Sequence, residues 1–302
     1  MSGKSGTKPR RSSGLSPAQQ PELLGAHVSI QGGVATAPAR GAAIGATAIQ
    51  IFTKTPNMWR EPELTSEITA AFRDAREAHP VRQVVSHDSY LINLASPDPE
   101  LRARSIRAFQ SEMQRATALG LDGVVSHPGN YIDVREAGMS RNAEAITEVL
   151  RSVPGEVPVL LETTAGTGTA LGRTFEELAT IRELVADDVR HRVAFCADTC
   201  HLYSAGYDLT GDFDGVWQVW ERVLGMESLR CLHLNDSKTP FNSHRDRHEL
   251  IAQGSLGIEP FRRLMNDPRM TGIPKLLETP KGDDQVTNDL EMLALLRGLV
   301  AQ

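Results

Sequence analysis

Six apolar runs in this chain end on a residue that can ligate a metal: His87 after QVVS, His127 after GVVS, Glu162 after VPVLL, Asp198 after VAFCA, His233 after LRCL and Glu278 after KLL. A lone histidine at a strand end is ordinarily a hydrogen-bonded structural residue. Six such groups on one rim would crowd carboxylates and imidazoles into a space where desolvated like charges must protonate or pair. Divalent cations remove that cost. Histidine mixed with Asp and Glu, without Cys, suits Zn²⁺ first, with Mn²⁺ or Fe²⁺ as substitutes.

Two local spacings add donors. In DTCH, Asp198 and His201 are three apart where a strand gives way to a turn, so both face the same mouth. In HRDRH, Asp246 and His248 alternate, so an extended loop projects both to one side. Nine candidates exceed what one ion can use. Four-coordinate zinc with a position open to water then implies two or three ions sharing a bridging carboxylate.

The elements that must position these groups follow from the same runs. Eight short apolar stretches, at 23–28, 46–52, 83–86, 123–126, 157–161, 192–197, 229–234 and 275–277, recur along the chain. Their repeat is roughly 35 residues, the length of a strand–helix unit. Unbroken apolar runs read as strands of a parallel sheet buried on both faces. Between them lie helix signals. SPDPELRARSIRAFQSEMQRATALG opens with Pro and acids, places Ile106, Phe109 and Met113 at helical spacing, and closes on Gly120. Thr174-Phe175-Glu176-Glu177 matches a capping box, and 139–153 and 289–300 are amphipathic. Eight strands alternating with helices imply an α/β fold, a (β/α)8 TIM barrel, over residues 21–302 as one domain; a doubly wound open sheet is the alternative. In such a barrel function sits at the carboxyl ends of the strands, where the donors fall.

Composition sets the limits. A chain of 302 residues, 40% hydrophobic and 23% charged, is ordinary for a soluble globular protein. No run approaches the ~20 apolar residues of a membrane span, and no secretory pattern opens the sequence. The three cysteines suggest no disulfide framework, with Cys196 and Cys231 read as reduced core residues. The expected location is cytoplasmic. Residues 1–20, Ser/Gly/Pro-rich and basic, read as a disordered tail whose KPRR run is solvated rather than phosphate-bound. A net charge of −6 argues at face value against a nucleic-acid partner.

Several motifs together resemble endonuclease IV, the zinc-dependent family of apurinic/apyrimidinic endonucleases on a xylose-isomerase-like barrel. They are GAHVS at 25–29, HDSYLINLA at 87–95, HPG at 127–129, ETTAG at 162–166, DTCHLYSAGYD at 198–208, HLNDSK at 233–238, DRH at 246–248 and LLET at 276–279. The likeness runs from about Leu23 to the end. It implies three zinc ions: one on His87, His127 and Glu162; a second on Glu162, Asp198, His233 and Glu278; a third on His201, Asp246 and His248. It implies hydrolysis of the phosphodiester 5′ to an abasic site in duplex DNA, leaving a 3′-hydroxyl, and removal of blocking groups from 3′ ends. Zinc lowers the pKa of bound water from 15.7 to about 7, so no Ser or Cys nucleophile is needed. Three Zn²⁺ would also offset the formal −6.

The resemblance assigns DNA contact to Tyr90 and Leu91 as a wedge, to the neighbouring Asn57 and Trp59, and to Lys54 with Arg60 at phosphates; a monomer is expected. Four departures stand out. Asn57 replaces the prototype's Arg, Tyr131 replaces a second His, ELIAQGSLG lacks the usual Gly-Glu-Gly, and Asn242 stands where Gly is common. Cys200 is read as packing behind His201, and His27 as packing behind the ligands; His79, His191 and His244 are read as surface residues.

Two other readings compete. A metal-dependent sugar isomerase or epimerase on a similar barrel would use Glu162, Asp198, His233 and Glu278 but has no need of His127 or the Asp246–His248 pair. A damage-binding protein without catalysis would bind abasic duplex and leave it uncut.

Overall fold

The computed structural model describes residues 22–301; the expected tail, 1–20, lies outside the described residues. Eight parallel strands close a barrel: β1 (Leu24–His27), β2 (Ala48–Ile51), β3 (Gln83–His87), β4 (Gly123–Ser126), β5 (Val159–Glu162), β6 (Val193–Asp198), β7 (Leu229–His233) and β10 (Lys275–Leu277). β1 pairs with both β2 and β10, so the sheet has no edge, which excludes the open doubly wound alternative. Two short strands in the loop after β7 were not expected: β8 (Asp236–Ser237) pairs antiparallel with β9 (His248–Glu249).

The helix signals operate as their chemistry requires. α3 (Pro99–Leu119) starts on Asp98, whose carboxylate accepts from Glu100 N at 2.9 Å and Leu101 N at 3.1 Å. It stops on Gly120, which takes the left-handed conformation at φ 69°. α4 (Arg135–Ser152) and α10 (Thr287–Gly298) cover the two amphipathic stretches. At α5 (Phe175–Leu184) the capping box is stretched. Thr174 Oγ1 accepts from Glu177 N at 3.2 Å, but the Glu177 carboxylate reaches past Thr174 to the N–H groups of Gly172 and Arg173, both at 3.0 Å. One side chain thereby caps the helix and holds the end of the loop after β5. Against α5 packs α8 (Phe213–Val223), which buries Trp217 and Trp220 completely.

Period-two alternation along each strand divides the core in two. Outward residues such as Leu24, Ile49, Val84 and Phe195 pack beneath the helices. Inward residues Ala48, Val85, Val125, Leu160, Cys196, Cys231 and Leu276 fill the barrel. The equivalent position of β1 is Gly25, where a Cβ would lie 1.7 Å from Ala48 O, so only glycine fits. Two residues further along every strand the character reverses. His27, Gln50, His87, His127, Glu162, Asp198, His233 and Glu278 make a wholly polar last layer at the carboxyl-end mouth.

Candidate metal centre

The polar layer is oriented from behind. His87 Nδ1 donates to Asp88 O at 2.9 Å, His201 Nδ1 to Thr163 O at 2.8 Å, and His248 Nδ1 to Glu278 O at 3.2 Å. A ring nitrogen facing a carbonyl carries hydrogen, which leaves Nε2 as the lone pair turned to the mouth. His233 is reversed. Its Nε2 donates to Gln50 Oε1 at 2.8 Å, and its Nδ1 lies 2.9 Å from Glu162 Oε1 and 3.1 Å from Glu278 Oε2.

Glu162, fully buried, is the hub. His127 Nε2 and His87 Nε2 lie 3.0 and 3.3 Å from its Oε2, while His233 Nδ1 and His201 Nδ1 lie 2.9 and 3.4 Å from Oε1. The structure brings all nine sequence candidates into three groups whose donor atoms lie within 4.8 Å of one another: His87, His127 and Glu162; Glu162, Asp198, His233 and Glu278; His201, Asp246 and His248. Glu162 belongs to the first two. Asp198 and His201 do not flank a turn as expected. β6 runs straight into α7 (Thr199–Ala205), with Asp198 as its N-cap accepting from His201 N at 2.8 Å. The first helical turn therefore holds both donors at the mouth.

The donor set fits divalent cations. Two ligands on a tetrahedral ion with bonds of about 2.0–2.1 Å stand about 3.3 Å apart, which is the range of the imidazole–carboxylate separations around Glu162. His201 Nε2 and His248 Nε2 are buried without a hydrogen-bond partner, although each lies 3.2 Å from an Asp246 oxygen. Buried polar atoms are rarely left so; a cation placed between them and Asp246 would satisfy both.

The electrostatics say the same in terms of protons. Burial alone would lower His87, but the Glu162 carboxylate raises it to about 9. Burial likewise opposes protonation of His201, and Asp198 with Asp246 raises it well above the usual imidazole range. Burial would raise Glu162 and Glu278, yet His233 first, with other imidazoles, holds both well below the ordinary carboxylate range. Asp246 falls to about 2 against the effect of burial, because of His201. Without cations the carboxylates thus favour a second proton on these imidazoles, and metal uptake at Nε2 would displace it.

Three positioning groups escaped the reading of the sequence. Gln50, fully buried, accepts from His233 and donates to Glu278 Oε1 and to His27 Nδ1, the last at 3.0 Å. Asn235 donates to Asp198 Oδ2 at 2.6 Å and accepts from Glu278 N at 2.9 Å. Asp88 accepts from Ser126 Oγ at 2.6 Å behind His87. The signal for Gln50 was an amide interrupting the apolar run AIQIF. His27 is joined to the donor groups through Gln50 and itself faces the cleft. Cys200 is buried, and burial with Asp198 nearby pushes its thiol up to about 11. Cys196, Cys231 and His233 also gather, but both ring nitrogens of His233 are engaged above them.

Around the mouth a cleft of about 500 Å³ is lined by His27, Phe52, Tyr90, Thr279 and Lys281 together with His87, His127, His201, Asp246, His248 and Glu278, while Glu162, Asp198 and His233 lie beneath it. Tyr90 is 63% exposed with its ring edge-on to Phe52 at 5.3 Å, so it is not core; Leu91 is half-buried. Asn57 is exposed, and Trp59 is half-buried beneath the Arg104 guanidinium, 4.3 Å from the ring centroid. Lys54 requires a correction. It is buried, with its ammonium on Glu61 and on Met58 O, so it braces its loop from inside and is not presented to a phosphate. Met58, unremarked in the sequence, is half-exposed at the same loop's tip. Asn242 takes φ 57°, the left-handed region glycine favours and Asn tolerates, which explains how it replaces Gly. His79 and His244 are half-buried and His191 is exposed, and the His244 carbonyl accepts from Thr167 Oγ1 at 2.8 Å.

Residues 38–296 match the family model described as xylose isomerase-like TIM barrel. A protein named probable endonuclease 4 from Geobacter sulfurreducens is 48% identical over 283 residues, covering 92% of this chain and 95% of that protein. One of the same name from Chloroflexus aurantiacus is 44% identical over 281 residues, covering 92% and 98%. Among solved structures, endonuclease IV from Thermus thermophilus superposes with a TM-score of 0.81 at 37% identity, covering 92% of this chain and 99% of that one. A D-tagatose 3-epimerase-like protein matches with a TM-score of 0.68 at 16% identity, which shows the barrel fold alone. With identity of this extent over nearly the full length of its relatives, the chain belongs to the endonuclease IV family of xylose isomerase-like TIM barrels.

Proposed function

We propose that this protein is a DNA-repair endonuclease that hydrolyses the phosphodiester 5′ to an abasic site in duplex DNA, leaving a 3′-hydroxyl, and that it also clears blocking groups from 3′ ends. The observation that carries the reading is the gathering of nine donors into three groups joined through Glu162. His87, His127 and Glu162 would hold one zinc ion, Glu162, Asp198, His233 and Glu278 a second, and His201, Asp246 and His248 a third. Bound zinc supplies a water acidic enough to attack at neutral pH and offsets charge developing on the phosphoryl and leaving oxygens.

The chain's own residues do the rest. Asp88, Thr163 and Glu278 carbonyls fix which imidazole nitrogen faces the mouth, and Gln50 does so for His233. Pulling an abasic sugar out of the duplex leaves a gap that must be filled. Tyr90 and Leu91 stand beside the donors to fill it, with Asn57 and Met58 on the adjacent loop. Duplex DNA approaches an acidic rim, so phosphate binding depends on prior loading of cations. The sugar epimerase reading is not favoured: it leaves His127 and the Asp246–His248 group without a role.

The test combines metal analysis with incision of a duplex bearing one abasic site, with and without chelator. Close to three zinc equivalents, incision on the 5′ side and loss of cutting on chelation are expected. A folded preparation free of divalent metal, and inert when metal is restored, would remove the proposal; binding without incision would favour a non-catalytic damage sensor.

A further inference from the structure

The loop carrying Asn57, Met58 and Trp59 runs from the end of β2 to α2 (Ser66–Ala78), and it is exposed at its tip yet fastened at both stems. The fastening comes from one face of α3. The Arg115 guanidinium, buried, donates to Thr53 O at 2.6 Å and Thr53 Oγ1 at 3.0 Å on the first stem, and to Pro62 O at 2.7 Å on the second. Glu112, one helical turn earlier and also buried, accepts from Thr53 Oγ1 at 2.7 Å. Ser111 Oγ donates to Glu61 at 3.0 Å, and Arg104 covers the Trp59 ring. The same loop is tied to the wedge residues, because Ser89 Oγ donates to Pro56 O and accepts from Leu91 N. The partners of Arg115 are two backbone carbonyls and one hydroxyl of a loop. A guanidinium, with five donors in a rigid fork, can bridge two chain segments in a way an ammonium cannot.

We propose that Arg115 is a positioning residue: with Glu112 holding the Thr53 hydroxyl beside it, it clamps the two stems of the 52–65 loop so that Asn57, Met58 and Trp59 are held ready beside Tyr90 and Leu91. The clamp is a statement about the loop; its consequence for DNA rests on the nuclease reading above. A pre-set loop costs less ordering on binding, so loss of the clamp weakens engagement of the duplex more than it slows the bond-breaking step.

The experiment uses the full-length zinc-loaded protein labelled with 5-fluorotryptophan. Of its three tryptophans, Trp59 reports the loop, while Trp217 and Trp220, fully buried on α8, report the fold; Trp59→Phe assigns the loop signal. In Arg115→Met the Trp59 ¹⁹F resonance should move towards the free amino-acid position and broaden, with the other two signals and the bound zinc unchanged. KM for an abasic duplex should rise on the order of tenfold with kcat nearly kept. Arg115→Lys, able to reach one stem at a time, should fall between. An unmoved Trp59 signal in Arg115→Met overturns the clamp, and so does movement of all three signals, which would make Arg115 a general core support. If Trp59 alone moves but the wild-type chain cuts no abasic duplex, the clamp stands and the nuclease reading falls.

Discussion

Replacing Gln50 by Leu tests the second of the three donor groups, the one proposed to hold the second metal ion. In the fully buried pocket behind it, Gln50 Oε1 is the acceptor for His233 Nε2–H at 2.8 Å, and this bond leaves Nδ1 as the nitrogen facing Glu162 and Glu278. Leucine keeps approximate volume but accepts nothing. The ring N–H is then stranded in a fully buried site, a cost of about 1–3 kcal/mol, and the imidazole is free to take the other tautomer, which presents the wrong nitrogen. Outer groups of this kind are worth about 10–100-fold in metal affinity, or about 1.4–2.8 kcal/mol at 1.4 kcal/mol per tenfold. Titrating the metal-free variant with Zn²⁺ against a chromogenic chelator should show one class of site weakened by that factor. The His201–Asp246–His248 group, which Gln50 does not touch, should stay near wild-type affinity. An affinity profile within twofold of wild type, or an equal loss at all sites, would refute the claim that Gln50 sets the His233 tautomer.

Glu162→Ala should reduce incision by on the order of 10²-fold or more and lose two of the three metal equivalents proposed above, since four imidazoles converge on that carboxylate; near-normal turnover ends the bridging role. Tyr90→Ala should weaken discrimination between abasic and intact duplex while metal content holds, measured by competition binding; parallel loss of zinc would make its contact with His87 structural. At the opposite end of the barrel, burial lowers Lys275 from its ordinary 10.5 to about 8. The unfolded chain therefore holds more protons than the folded one between those values. This group's contribution is unfavourable below about pH 8 and fades as pH rises towards 10.5. Lys275→Met should flatten that rise in stability in paired denaturant titrations at pH 7.5 and 10; an unchanged slope contradicts the assignment.

The eight-strand repeat and the donor at the end of each late strand were legible in the sequence because both are local. A strand buried on two faces must be apolar throughout, and period-two alternation then makes the first polar inward residue a resident of the mouth. Hence His87, His127, Glu162, Asp198, His233 and Glu278 could be picked without coordinates. Asp246 and His248 followed from spacing within one loop. Gln50 and Arg115 could not be read that way, because each is defined by a partner far along the chain, His233 for Gln50 and Thr53 with Pro62 for Arg115, and the role of Lys54 depends on an irregular loop folding back so that Glu61 meets it. A glutamine in a strand or a lysine in a loop has the same local signature whether it faces water or a buried partner. His87 is oriented by the carbonyl of the next residue, but for His201, His233 and His248 closure of the barrel, which sets distant strand ends side by side and removes the water between them, decides which ring nitrogen faces the centre.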